Sequence, residues 1–275
     1  MLPSYLSCLT KYHRFADHPN ITAILAAHLG GQETGNSIVD VLYGDVNPSG
    51  HLPYTIAKEE DDYAFADITN SSELLNTTDP NAWQSNFEER LLIDYRHFDY
   101  YNLPVQYEFG FGLSYTTFGM SNVSVSGASS GPISSPCPKD SESNSSSSAP
   151  APGGDTALWE TLYTISTTVS NTGKVAGAAV PQLYLGLPQP ANEDVTPVKV
   201  LRGFEKVYLQ PGESQTVQFP LMRRDLSYWD IDQQKWVIGN DDVKVYAGFS
   251  SRDIQAQTSF SPLGDQARKQ RRSRR

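Results

Sequence analysis

Acids stand side by side at Glu59-Glu60, Asp61-Asp62 and Glu88-Glu89. Two carboxyl groups can share nucleophilic and acid/base work when they face one site and burial raises the pKa of one of them. Adjacent residues in a strand or loop point apart. The first two pairs also sit in hydrophilic sequence, where a solvated face is the simpler reading. Glu88 and Glu89 stay as candidates for the neighbourhood of a substrate cleft. Neither is assigned a catalytic role.

Other chemistries find less support. His13, His18, His28, His51 and His97 have no spacing with Cys or carboxylates that reads as a metal site. His97 reads as a packing or hydrogen-bonding residue among aromatics. Ser114 lies in Gly112-Leu113-Ser114-Tyr115, which is not the Gly-x-Ser-x-Gly elbow of hydrolases. Gly30-Gly31 ahead of a helix could cradle a phosphate. No Gly-x-Gly-x-x-Gly or Walker pattern accompanies it, so tight backbone geometry accounts for the pair. No catalytic, cofactor-binding or metal-binding residue is assigned, and no cofactor is expected. Trp83, Trp159, Trp229 and Trp236 could stack on sugar rings. For Trp229 and Trp236, core packing is the simpler expectation.

The elements that must position these residues change character along the chain. Ile21–Ala27 is continuously apolar, as in a strand buried on both faces. Residues 32–43 place Ile38, Val39, Leu42 and Tyr43 on one helical face, with Thr34 as N-cap and Gly44 as stop. A short strand is expected over Leu52–Ile56, completing a strand–helix–strand unit of an α/β layer. One such unit cannot cover both faces of its strands, so it predicts the last portion of a larger α/β domain. Alternating Gly and aromatics over 107–118 predict backbone packed tightly beneath rings.

Residues 126–155 are Ser-, Gly- and Pro-rich and predict a linker or long loop. Beyond them the period becomes two. Strands are expected at 158–170, 179–185, 199–207, 215–220, 235–238 and 243–249, with turns at Asn171-Thr172-Gly173-Lys174, Gln210–Glu213 and Gly239–Asp242. Short strands with regular turns over roughly 100 residues describe a β-sandwich.

The 275 residues carry a formal charge of -10, which argues against nucleic acid as a partner. The basic tail at 268–275 reads as a solvated end. No apolar run approaches the roughly 20 residues of a membrane span. Cys8 and Cys137 are the two cysteines, too few to read as a disulfide framework. Asn-x-Ser/Thr acceptors at Asn20, Asn70, Asn76, Asn122 and Asn144 point to a secreted glycoprotein. The N-terminus is nevertheless a poor signal peptide, so the beginning of the protein is expected to be missing.

Several ordered motifs carry a family resemblance over roughly residues 17–255. They are Asn20–Leu25, Gly31–Ser37, Asp40–Pro53, Asp94-Tyr95-Arg96-His97-Phe98-Asp99 and Glu108–Phe118. Further on come Val169–Gly173, Val180–Leu185, Leu201–Val207, Leu226–Asp230 and Gly248–Ile254. In them the chain resembles the C-terminal portion of fungal-type β-glucosidases of glycoside hydrolase family 3. The resemblance implies an α/β plus all-β fold: the C-terminal remnant of an α/β-sandwich domain with its connecting segment (1–125), a linker (126–156), a fibronectin type III-like domain (157–262) and a basic tail (263–275). It implies hydrolysis of terminal β-D-glucosyl residues with retention, and a β-glucoside or oligosaccharide substrate, with β-xylosidase-type relatives as an alternative. In such proteins a preceding (β/α)8 barrel supplies the nucleophile, and the acid/base glutamate precedes the equivalent of Asn20. This chain is therefore expected to lack both, to be inactive alone, and to leave 20–56 short of part of its core. A non-catalytic carbohydrate-binding or structural role is the alternative function.

Overall fold

The computed structural model describes residues 16–28, 31–63, 87–127, 133–135, 137, 155–190 and 195–263. The Ser-rich stretch over 138–154, the basic tail, Cys8, His13, Gly30, Trp83, Asn70, Asn76 and Asn144 lie outside the described residues.

Thr34–Tyr43 forms helix α1, and Gly44 ends it in the left-handed region at φ 85°, its N–H donating to the Val41 carbonyl. This is the role that a glycine after the last helical residue predicts. The N-cap expectation is off by one. Glu33 takes that position without a side-chain bond, while the Thr34 hydroxyl donates to the Gly31 carbonyl at 2.6 Å. No residue of α1 is buried; Leu42 is 63% and Tyr43 81% exposed.

The strand expected over Ile21–Ala27 does not form, and Ile21 and Leu25 are exposed. An apolar run of this kind becomes a strand only when sheet neighbours bond its backbone and cover its faces. Among the described residues none does. Next in order are β1 (Ile56–Ala57), α2 (Tyr95–Tyr100) and β2 (Val105–Tyr107). β1 pairs antiparallel with β2. The element expected over 52–56 is thus shorter and joins a two-stranded ribbon instead of extending a parallel layer.

The sandwich holds β3 (Phe118–Gly127), β4 (Thr161–Asn171), β5 (Gly177–Ala179), β6 (Gln182–Gly186), β7 (Val200–Phe204), β8 (Val207–Leu209) and β9 (Ser214–Met222). A short helix α3 (Arg223–Leu226) leads into β10 (Ser227–Asp230), β11 (Lys235–Ile238), β12 (Val243–Gly248) and β13 (Ile254–Phe260). One sheet runs β13-β12-β6-β7 and the other β3-β4-β9, with β5–β8 and β10–β11 as two-stranded ribbons. β3 precedes the Ser-rich stretch in sequence yet pairs with β4 beyond it.

Side chains from both sheets meet in one core: Ile165 and Val169 from β4, Val217, Phe219 and Leu221 from β9, Leu183 and Leu185 from β6, Val243 and Val245 from β12. β9 shows how the sequence does this, burying Val217, Phe219 and Leu221 while Gln218 and Pro220 face water. Each such burial stabilises the fold by about 1.5–3 kcal/mol. In β4 the expected alternation holds for Ile165, Thr167 and Val169, but Leu162 is buried with them instead of lying opposite. A register shift between Thr161 and Tyr163 turns it inward. β6 is buried along its whole length, because the core covers one face and α2 with its neighbours covers the other.

Candidate functional site

The acid pairs singled out by sequence do not converge. Glu59 and Asp61 are exposed, and an Asp62 oxygen accepts the Glu59 N–H at 3.1 Å. The Glu60 side chain lies outside the described residues. Glu88 is exposed and Glu89 half-buried in a turn that ends on buried Leu92. Among the described residues, no group of three or more His, Cys, Asp or Glu is placed to hold a metal ion.

What the structure brings together instead are the two motifs over 94–99 and 108–118, clamped onto the sandwich. Asp94 caps α2 from a positive φ of 54°. Such a backbone persists only where its surroundings fix it, and here three donors do. Its carboxylate accepts from Thr55 N and Thr55 Oγ1 at 2.9 Å each, and from Tyr95 N at 2.5 Å. The next residue, Tyr95, stacks on Phe109 at 4.5 Å and meets buried Tyr184 edge-on. The Tyr95 hydroxyl accepts the Leu201 N–H at 2.9 Å. Burial pushes the Tyr95 phenol above its ordinary pKa, partly offset by that bond; it stays protonated in neutral solution.

Asp99 closes the far end of α2. Its carboxylate, 8% exposed, pairs with Lys199 at 2.6 Å and Arg252 at 3.2 Å. Arg252 also donates to the Leu103 carbonyl at 2.8 Å. The second motif is held as firmly. Glu108 accepts from Ser250 Oγ at 2.7 Å, and the Phe109 carbonyl accepts Ser251 N at 2.9 Å. Gly110 sits at φ 80°, and its carbonyl accepts from Gln182 at 3.2 Å and from His51 Nδ1 at 2.5 Å. A carbonyl oxygen can only accept, so Nδ1 carries the proton. Burial lowers the His51 pKa, and the bond to Gly110 opposes this in part. At Gly112 a Cβ would overlap the Gly50 carbonyl, which is the tight packing that alternating Gly and aromatics predicted.

Asparagines complete the tie. Asn47 Oδ1 accepts from Ser114 Oγ and Tyr115 N at 2.8 Å each, while its amide donates to Ala176 O at 3.0 Å. Asn171 accepts from Thr116 Oγ1 at 2.7 Å and donates to Val175 O and Leu209 O. Ser114 is therefore a structural hydroxyl. His97 packs edge-on against Phe98 and beside Tyr101, and the histidine was expected to pack in this way. The roles of Asn47, Asn171, Gln182 and Asp99 were not read from sequence. The partners that join them across the tie lie 55 to 153 residues away, where no local pattern reaches.

An open groove of about 440 Å³ runs beside α1, lined by Leu25, Ala27, Glu33, Ile38 and Val41 among others. Its single lining carboxylate is Glu33, which accepts from Asn36 at 2.6 Å. One carboxylate cannot supply both a nucleophile and an acid/base. The tie's acids are likewise committed to cations or donors. Among the described residues, what this arrangement does is position one part of the chain on another.

The structure thus fastens a segment bearing α1, α2 and the β1–β2 ribbon to a β-sandwich through two aromatic motifs. The sequence matches the glycosyl hydrolase family 3 C-terminal domain over residues 9–115 and the fibronectin type III-like domain over 179–251. The chain corresponds to the C-terminal portion of glycoside hydrolase family 3 β-glucosidases. It is 53% identical, over 90% of its length, to probable beta-glucosidase G of Aspergillus flavus, and 47% identical, over 88%, to probable beta-glucosidase L of Aspergillus fumigatus. In each case it spans 29% of the relative. Among solved structures it is similar to the beta-D-glucoside glucohydrolase of Trichoderma reesei, with a TM-score of 0.70, 42% identity, and cover of 84% of this chain and 29% of that one. It is also similar to a family 3 beta-glucosidase of Neurospora crassa, with a TM-score of 0.75, 34% identity, and cover of 90% and 36%.

Proposed function

We propose that this chain is the architectural end of a secreted, retaining β-glucosidase acting on terminal β-D-glucosyl residues, and that it has no turnover of its own. One observation carries this: α1 buries none of its residues, although Ile38, Val39 and Leu42 share a face beside an apolar groove. That face and the groove take their cover from the greater part of the enzyme, which also brings the nucleophile and the acid/base. The sandwich and its tie then hold the α/β domain in place. The proposed unit boundary falls before Phe118, since β3 is part of the sandwich sheet.

Secretion is supported by exposed acceptors at Asn20 and Asn122. Among the described residues no helix is long and apolar enough to cross a membrane. The test is hydrolysis of an aryl β-glucoside by the purified chain, alone and mixed with the part of a beta-glucosidase G relative that this chain does not match. Glucose released with retained configuration by the mixture only is expected. Turnover by the chain alone would contradict the proposal, and Glu88 and Glu89 would then be substituted first.

A further inference from the structure

Three indoles gather at one end of the sandwich, where the 3-10 turn Thr156–Trp159, α3 and the β10–β11 hairpin pack together. Trp229 and Trp236 are ladder partners across the hairpin, their rings 5.7 Å apart and edge to face at 71°. Trp236 is backed by Cys137, Ala157 and Leu158, and its carbonyl accepts the Cys137 N–H at 2.8 Å. Trp229 rests edge to face on this backed indole, with 41% of its surface in water. Core packing, the sequence expectation for Trp229, is thus not what the structure shows. Trp159 stands 45% exposed, with the Arg224 guanidinium 4.4 Å from its ring centre on one side. Arg224 is itself half exposed, and Glu160 beside Trp159 is 62% exposed.

We propose that this patch is a binding site for β-glucan chains. Exposed indoles fixed from behind offer flat apolar faces at little entropic cost, since their rotamers are already set. A β-linked glucosyl unit carries its hydroxyls equatorially and so presents flat C–H faces to stack on them. Arg224 and Glu160 flank Trp159 and offer a donor and an acceptor to sugar hydroxyls. Two exposed indoles with a charged rim make a patch far smaller than the roughly 20–30 residues a side of a protein interface, which favours a sugar over a protein as occupant. The choice of β-glucan rests on the β-glucosidase reading above; the site itself rests on the indoles.

Affinity electrophoresis of the full chain in gels with soluble hydroxyethyl cellulose tests this, with dextran as the α-linked control. Retardation by the β-glucan and not by dextran is expected. Trp229→Ala and Trp159→Ala should each weaken it about tenfold, while Trp229→Phe keeps most of it. Tyr208→Ala, which removes an aromatic that is 63% exposed elsewhere on the sandwich, should change nothing. Thermal melts check folding, and Trp159→Ala carries the test if the hairpin variant unfolds. Absence of retardation, equal retardation by dextran, or retardation untouched by either Trp→Ala change would overturn the proposal. Because the readout is binding, failed hydrolysis in the mixing experiment leaves it standing, and the converse also holds.

Discussion

Residues 118–263 and residues 16–46 are built from similar apolar material with opposite outcomes. In the sandwich, Leu183, Leu185, Ile165 and Val245 are fully enclosed because each sheet faces a second one. In the earlier segment Leu25, Leu42 and Tyr43 are exposed, although their pattern is as apolar and as regular. Periodicity determines which face of an element is sticky; the supply of an opposing layer determines whether that face is buried. Between the two regions lies the tie, where polar side chains rather than apolar area do the joining.

The largest expected effect comes from breaking that tie. Asp99→Ala would leave Lys199, 11% exposed, without its 2.6 Å partner, and loss of one member of a buried pair costs about 3–5 kcal/mol. Chemical denaturation measures it, and a loss below about 1 kcal/mol would show that the tie adds little to the sandwich.

A core comparison sharpens the contrast next. Leu183→Ala should cost about 2–5 kcal/mol through the cavity it leaves, whereas Leu42→Ala should stay within about 0.5 kcal/mol as a surface change. Equal losses would mean that α1 is covered after all. Gly112→Ala, whose methyl would meet the Gly50 carbonyl, should cost about 1–3 kcal/mol by overpacking.

The smallest effect is one of pH. The folded-state pKa of His51 is lowered from 6.5 by burial. Below about 6.5 the unfolded chain therefore binds a proton that the folded chain refuses. Stability from this group is complete above that pH and falls as pH drops toward the folded pKa. His51→Gln should flatten that part of the curve in denaturation at pH 5 and 7, and an unchanged slope would assign it to other groups.

Much of the sandwich was legible because its cues are local. The expected strand at 235–238 matches β11, the turn at Asn171-Thr172-Gly173-Lys174 follows β4, and Gly44 ends α1. β3, β10 and β13 were missed. β3 and β13 lie at sheet edges, where their inward residues are only half-buried and alternate with exposed Ser, Asn and Gln, and β10 is a four-residue strand paired with β11. The strand at Ile21–Ala27 was over-read because the sequence shows apolar faces and not their cover. Of the two patches with functional promise, the groove beside α1 was foreseen as a deficit of core. The exposure of Trp229 was not foreseen, since nothing local distinguishes an indole that rests on Trp236 at the outside of a hairpin from one inside the sheets.

Hydrogen–deuterium exchange of the purified chain tests the central contrast most directly. The account predicts that amides of β4, β6 and β12 exchange only on global unfolding, while those of α1 exchange at least about a thousandfold faster. Protection of α1 equal to that of β6 would contradict it, because the helix would then already have the cover that the account assigns to the rest of the enzyme.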